Sequence, residues 1–260
     1  MTYPTSTRAF LDFAIDAAWQ AGQRTLAHFQ TGVAVEQKAD SSPVTIADRS
    51  AEELLRRLIE SRFPAHTIVG EEFGETDRDS AYRWIIDPID GTLSFIHGVP
   101  LYGVLIGLEI EGEMVVGVAH FPGLGEMVAA ARGEGCQWNG RPAHVSEVSR
   151  LDQALVVYTG CADFAPYGRA EAWARLQRAT RTQRGWGDCY GHCLVATGRA
   201  EVMLDPIMNA WDCAALLPIL QEASGTFTDW DGNTTIYSGN ALSTNGTLFE
   251  QVLELVKDER

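Results

Sequence analysis

Positive charge is scarce in this chain. Twenty lysines and arginines stand against 35 aspartates and glutamates, a formal net charge of -15. A nucleic-acid backbone would be repelled, which excludes nonspecific nucleic-acid binding, and an anionic membrane surface is excluded for the same reason. Long apolar runs are also missing: the longest, Leu101 to Leu108, is too short to cross a bilayer. The segment Met1 to Thr7 has neither a basic flank nor an apolar core, so no signal peptide is expected and a cytoplasmic location is the default. Five cysteines occur (Cys136, Cys161, Cys189, Cys193, Cys213), an odd number without a CxxC pair. That pattern argues against a disulfide framework and for reduced, packed thiols. There is no internal repeat and no low-complexity tract.

What remains is an ordinary globular composition over 260 residues, enough for one large domain or two small ones. Apolar residues at helical spacing predict a helix from Arg8 to Gln30 and a second through Ala47, Ala51, Leu54, Leu55 and Leu58, stopped by Pro64. Short buried strands are expected at Thr67–Gly70 and Arg83–Asp87. A meander of antiparallel strands should follow through Leu101–Ile110, Glu113–Phe121 and Gly125–Gly133. A polar, turn-rich stretch then suggests a boundary between an N-terminal α+β domain, residues 1–140, and a C-terminal α/β domain, residues 141–260. Further helices are expected from about Tyr167 to Thr180, over Cys189–Gly198, from Trp211 with a kink at Pro218, and at the C-terminus. The fold class is α/β, with α+β elements in layers.

The chemistry concentrates in Asp87-Pro-Ile-Asp-Gly-Thr92, directly after an apolar strand. The residue before a proline is driven out of the helical region, so the chain is expected to leave the strand and turn. Both carboxylates, with the Ile89 carbonyl between them, can then face one point. Such hard oxygen ligands suit Mg²⁺ or Mn²⁺. Gly91 permits a tight bend, and free N–H groups at the start of a following helix would favour an anion. Metal ligands beside a phosphate cradle are what metal-assisted phosphoryl transfer needs. A bound cation would also reconcile an acidic protein with an anionic substrate.

"DPIDGT" with Trp211-Asp212, Val69-Gly-Glu-Glu72, Ser42–Asp48 and Glu222–Gly232 resembles the inositol monophosphatase family, from about residue 8 to the C-terminus. The resemblance implies alternating αβαβα layers of the sugar-phosphatase type and two or three Mg²⁺ ions, with Mn²⁺ as a substitute. Glu71, Asp87 and the Ile89 carbonyl would hold the first ion, and Asp87, Asp90 and Asp212 the second, the two lying about 3.5–4 Å apart. A third would lean on Glu71. Thr92 and Asp48 would orient a metal-activated water and draw off its proton. The phosphate would rest on the ions and on the Gly91 and Thr92 N–H groups beside Asp90. Several of these residues also have plainer readings. Asp48 could complete a capping box with Thr45 and Asp212 could cap its helix. Glu72 could back the metal ligands or face solvent and Lys38 could be a surface lysine, while Trp211 and the cysteine pair Cys189 and Cys193 could be packing.

Within the family, Gly91–Leu108 and Gly185–Asp212 look like the histidinol-phosphate phosphatase branch. The implied activity is hydrolysis of L-histidinol phosphate, late in histidine biosynthesis. Histidinol carries an ammonium and an imidazole, so its pocket needs acceptors. Asp188, Asp205 and Asn209 are the expected substrate residues, with Asp188 the discriminating one unless it is merely a helix N-cap. His192, in the same helix, is expected to be packed or solvated rather than catalytic. No histidine joins the ligand set, so zinc is not expected there. The alternative is an inositol-1-phosphate phosphatase of the same mechanism. A third reading is a non-catalytic metal- or phosphate-binding protein. The expected partner is a small phosphate ester, and the family resemblance suggests a homodimer.

Overall fold

The computed structural model describes residues 6–38 and 42–257. Helix α1 (Thr7–Leu26) starts at an N-cap, Ser6, whose hydroxyl accepts from the Ala9 N–H. It ends before Gln30, the predicted end, because the chain enters turns in which Gln30 and Gly32 take positive φ. A short hairpin, β1 (Val35–Gln37) with β2 (Pro43–Thr45), occupies what reads in sequence as loop. Helix α2 (Ile46–Arg62) follows and stops just before Pro64, as its pattern predicts.

The first sheet has eight strands: β3 (Thr67–Gly70), β4 (Gly74–Thr76), β5 (Tyr82–Asp90), β6 (Gly103–Ile110), β7 (Glu113–Phe121), β8 (Glu126–Ala131), β9 (Gly135–Trp138) and β10 (Arg141–Pro142), in the order β10-β9-β8-β7-β6-β5-β3-β4. The β5–β9 meander is antiparallel, as its turn spacing implies, whereas β3 runs parallel to β5. The short α3 (Thr92–Ile96) follows β5. The second sheet has five strands: β11 (Leu155–Tyr158), β12 (Thr182–Arg184), β13 (Val202–Asp205), β14 (Thr226–Thr228) and β15 (Ala241–Thr244), in the order β12-β11-β13-β15-β14. The helices of this half are α4 (Ala170–Ala179), α5 (Asp188–Ala196), α6 (Ala210–Ala214), α7 (Leu216–Glu222) and α8 (Phe249–Val256).

Strand alternation builds the layers. Trp84, Ile86, Val104 and Ile106 face α1 and α2, while Ile85, Leu105 and Ala119 face α5 and α7. The far side of that helix layer meets Met203, Phe227 and Ala241 of the second sheet, whose outer face, through Val202 and Leu204, packs on α4 and α8. The order is αβαβα. Among the described residues no helix is long and apolar enough to cross a membrane, and all five cysteines are free, with only Cys161 exposed.

Two helix expectations are corrected. The helix predicted from Trp211 is two, α6 and α7, meeting at Ala215. They meet where Pro218, lacking an N–H, cannot bond the Ala214 carbonyl four residues back. Helix α4 begins at Ala170 rather than near Tyr167, because Gly168 adopts positive φ before it.

Candidate active site

Parallel pairing of β3 with β5 sets Gly70 opposite Ile86. The residues that follow, Glu71 and Asp87, therefore emerge at the same sheet edge. The strand does not turn away at Asp87 as the proline suggests. It runs on to Asp90 through a bulge, with Asp87 opposite Leu105 and Asp90 opposite Gly103. Three steps on β5 are matched by two on β6, and the extra residue turns both carboxylates toward one side. The Ile89 N–H donates to Asp87 Oδ1 at 2.9 Å and pins that side chain. Gly91 then takes φ 81°, a conformation that suits glycine, and a Cβ there would sit 3.0 Å from Asp188 Oδ2.

Asp212 arrives from α6. That helix lies close on the first sheet because Gly107 of β6 has no side chain: a Cβ there would be 2.7 Å from the Ala214 Cβ. Asp212 does cap its helix, with Oδ2 accepting from the Asn209 N–H at 2.6 Å. It also joins the cluster, since one carboxylate oxygen each from Asp87, Asp90 and Asp212 lie within 4.8 Å of one another.

These groups are strongly perturbed. Burial, then the neighbouring charges of Glu71, Asp90 and Asp212, raises Asp87 well above the ordinary carboxylate range. Burial, then Asp188 and Asp212, does the same to Asp90. Burial lifts Glu71 to about 7 and Asp212 to about 6. Buried like charges at this spacing call for a compensating cation. An all-oxygen donor set fits a hard divalent ion such as Mg²⁺.

Asp48 plays two roles with two oxygens. Oδ2 accepts from the Thr45 N–H and hydroxyl at 2.8 and 2.7 Å, completing the capping box, while Oδ1 lies 3.4 Å from Thr92 Oγ1. The Thr92 hydroxyl also lies 3.0 Å from the Ile89 carbonyl.

Beside the cluster a cleft is lined by Asp90, Asp163, Asp188, Asp205 and Asp212, with Thr159 and residues 206–208. No basic side chain lines it among the described residues. A separate cleft bounded by Glu109, Arg132 and Tyr237 touches none of these acids. Asp188 is not an N-cap. Gly187 holds that position, and Asp188 begins α5 with φ 51°, its N–H donating to Thr159 Oγ1 at 2.8 Å. A left-handed aspartate is a costly choice that a functional site can justify. Burial, then the Asp205 and Asp212 charges, raises Asp188 to about 7. Asp205 is buried at the end of β13. Asn209 is exposed and caps α6, its amide 3.4 Å from Asp212. Trp211 packs against the central core.

Sequence reasoning missed three residues. Lys38 reads as a surface lysine, yet its ammonium lies 2.7 Å from Glu71 and 2.6 Å from Glu72. Burial lowers its pKa, but the two acids outweigh that and raise it. The available signal was its rarity, as one of only two lysines in the chain. Glu52 is fully buried and accepts from the Glu72 and Phe73 N–H groups at 2.7 and 3.2 Å, fixing the loop after β3. Its spacing four residues from Asp48 on the inward face of α2 could have revealed it. For Asp163, on an irregular loop, sequence carried no signal.

The chain was also compared with known proteins. Residues 6–260 match the model of the inositol monophosphatase family. A histidinol-phosphatase of Chlorobaculum parvum is 48% identical, across 89% of this chain and 90% of its own. A fructose-1,6-bisphosphatase/inositol-1-monophosphatase of Thermotoga maritima is 32% identical, across 95% and 96%. Among solved structures, the extragenic suppressor protein suhB of Bartonella henselae superimposes with a TM-score of 0.90 at 27% identity, covering 97% of this chain and 100% of that one. With the layered fold and the acidic cluster, these matches identify the chain as a member of the inositol monophosphatase family.

Proposed function

We propose that this protein is a divalent-cation-dependent phosphomonoesterase that hydrolyses L-histidinol phosphate to L-histidinol and phosphate. The observation that carries the substrate is the cleft beside the metal-ligand cluster. Beyond Asp90 and Asp212 it presents Asp163, Asp188 and Asp205 and no basic group. A cationic alcohol suits that lining, whereas a polyol would leave the carboxylates unneutralised. The 48% identity to a protein named histidinol-phosphatase supports the same substrate.

Glu71, Asp87, Asp90, Asp212 and the Ile89 carbonyl are the proposed ligands of two or three Mg²⁺ ions, with Mn²⁺ a substitute. When bound, such ions neutralise phosphate oxygens, make a water more acidic and stabilise the leaving oxygen. The chain's own residues do the rest. The single Thr92 proton can go to Asp48 Oδ1 or to the Ile89 carbonyl. Directed to Asp48, it leaves the Thr92 lone pairs to accept from an attacking water and hold it in line with the ester bond. Asp48, with its other oxygen held by Thr45, is the proton acceptor. The N–H groups at Gly91 and Thr92, with no side-chain cap, face the phosphate. Asp188 and Asp205 hold the ammonium and imidazole of the leaving alcohol, with Asn209 at the rim.

The division at residue 140 belongs to this reading. Residues 1–140 supply the Asp87–Thr92 motif, and 141–260 supply Asp212 and the specificity acids. A homodimer is carried over from the family resemblance, and a cytoplasmic location from the sequence.

Side-by-side kinetics test the substrate. L-Histidinol phosphate should exceed myo-inositol 1-phosphate in kcat/KM, and Asp188→Ala should raise KM for the former by about tenfold or more, the size of a lost charge-assisted bond. KM for a neutral ester should move far less. Equal or better kcat/KM on the inositol ester would reject the assignment, and equal shifts in Asp188→Ala would remove Asp188 from recognition.

A further inference from the structure

We propose that His192, set by Ser243, is a positioning residue that orients the Asp205 carboxylate in the leaving-group cleft. The identity of the alcohol that Asp205 meets rests on the function proposed above; the side-chain arrangement does not.

The main chain at Asp205 is already fixed. It ends β13 opposite Ala241 of β15, and the buried Trp230 indole donates to the carbonyls of both, at 3.1 and 3.0 Å. That clamp leaves the carboxylate free to rotate. Behind it lies His192, fully buried on α5. Its Nδ1 is 2.7 Å from the hydroxyl of Ser243, itself fully buried on β15. Its Nε2 is 3.4 Å from Asp205 Oδ2, close but not aligned as a hydrogen bond, and it makes no hydrogen bond among the described residues.

The Ser243 hydroxyl can donate to Nδ1 or accept from it, so the assignment proposed here turns on the carboxylate. A carboxylate only accepts, so the imidazole proton belongs on Nε2. Nδ1 must then accept, and a serine hydroxyl can donate to it. Each group in Ser243, His192 and Asp205 thereby has one direction, and the buried Nε2, costly if left unpaired, has the Asp205 carboxylate within reach of a small ring rotation. Phe227, with its ring 5.7 Å from the imidazole, restricts the imidazole plane. Holding Oδ2 from behind leaves the other Asp205 oxygen for the ligand. A neutral donor preserves the negative charge that a lysine or arginine there would cancel. His192 and Asp188 stand four apart on α5, so they share one helix face. One helix thus delivers one specificity acid and supports the other. The expected signature is a change in recognition of the alcohol, with the phosphoryl step spared.

The test uses the full-length Mg²⁺-loaded enzyme. His192→Phe keeps the ring volume and removes the donor. It should raise KM for L-histidinol phosphate about tenfold with kcat nearly unchanged, and move KM for p-nitrophenyl phosphate much less. His192→Gln, whose amide can donate to Asp205, should recover most of the loss. Equal KM changes on both esters, no change on either, or no recovery in His192→Gln would overturn the assignment. Should His192→Phe fail to fold, ¹⁵N NMR of histidine-labelled wild-type protein decides it. A slowly exchanging Nε2–H tautomer at His192 is the expected result, and an Nδ1–H tautomer would overturn it. If wild-type enzyme hydrolyses neutral esters but not L-histidinol phosphate, the substrate assignment falls, and the tautomer still decides the role of His192.

Discussion

Asp87→Asn should abolish activity and, with chelator present, make the protein more stable. The change is nearly isosteric and removes one charge from a side chain that is 1% exposed. Partners that only orient metal ligands cost about 10–100-fold when lost, so a direct ligand shared by two ions should cost on the order of 10³-fold or more in kcat/KM. The stability effect runs the other way. Without a cation, Asp87 is pushed far up by burial and by Glu71, Asp90 and Asp212. Neutralising it relieves that repulsion. Thermal melts in EDTA at pH 8 should therefore give the variant a higher Tm than wild type, with the order reversed in saturating Mg²⁺. A purely structural Asp87 would lower both activity and Tm together, whatever the metal content.

A second large effect links pH to metal. In the metal-free protein Glu71 and Asp188 titrate near 7 and Asp212 near 6, all above their ordinary values and all chiefly through burial. Between about pH 4 and 7 the folded chain therefore binds more protons than the unfolded chain. With more protons on the native side, stability falls as pH rises through that window, and the full penalty is present above pH 7. Summed over a coupled cluster it is on the order of a few kcal/mol. Mg²⁺ competes with those protons, so it should raise Tm strongly at pH 8 and weakly at pH 5. An equal Mg²⁺ increment at both values would mean that the ion binds away from these carboxylates.

The fold was legible where periodicity is strong. The β5–β9 meander reads as apolar runs between turn signals, because one set of side chains meets α1 and α2, the other meets α5 and α7, and both faces are buried. The acidic residues at strand ends were legible because carboxylates directly after buried strands have no structural reason to be there. Other features follow from contacts distant in sequence. The bulge that carries β5 on to Asp90 depends on pairing with β6, which the local Asp-Pro signal cannot reveal. The division at Ala215 falls three residues before Pro218, whose local signal was legible, whereas the close seating of α6 on Gly107 depends on the sheet. Lys38 reaches Glu71 across 33 residues, and Asp163 joins the cleft from an irregular loop without periodicity. His192, expected to be packed or solvated, is packed, and its bond to Ser243, 51 residues away, depends on how α5 lies against β15. Asp48 and Asp212 show that a capping bond and a contact at the proposed site can coexist, because a carboxylate has two oxygens.

The convergence of Glu71, Asp87, Asp90 and Asp212 on divalent cations is tested most directly by anomalous diffraction from crystals grown with Mn²⁺. A metal centre requires manganese peaks within bonding distance of Asp87, Asp90 and Asp212, with a further peak at Glu71 and the Ile89 carbonyl. Manganese bound only elsewhere, with the four carboxylates still paired to one another and to Lys38, would contradict it.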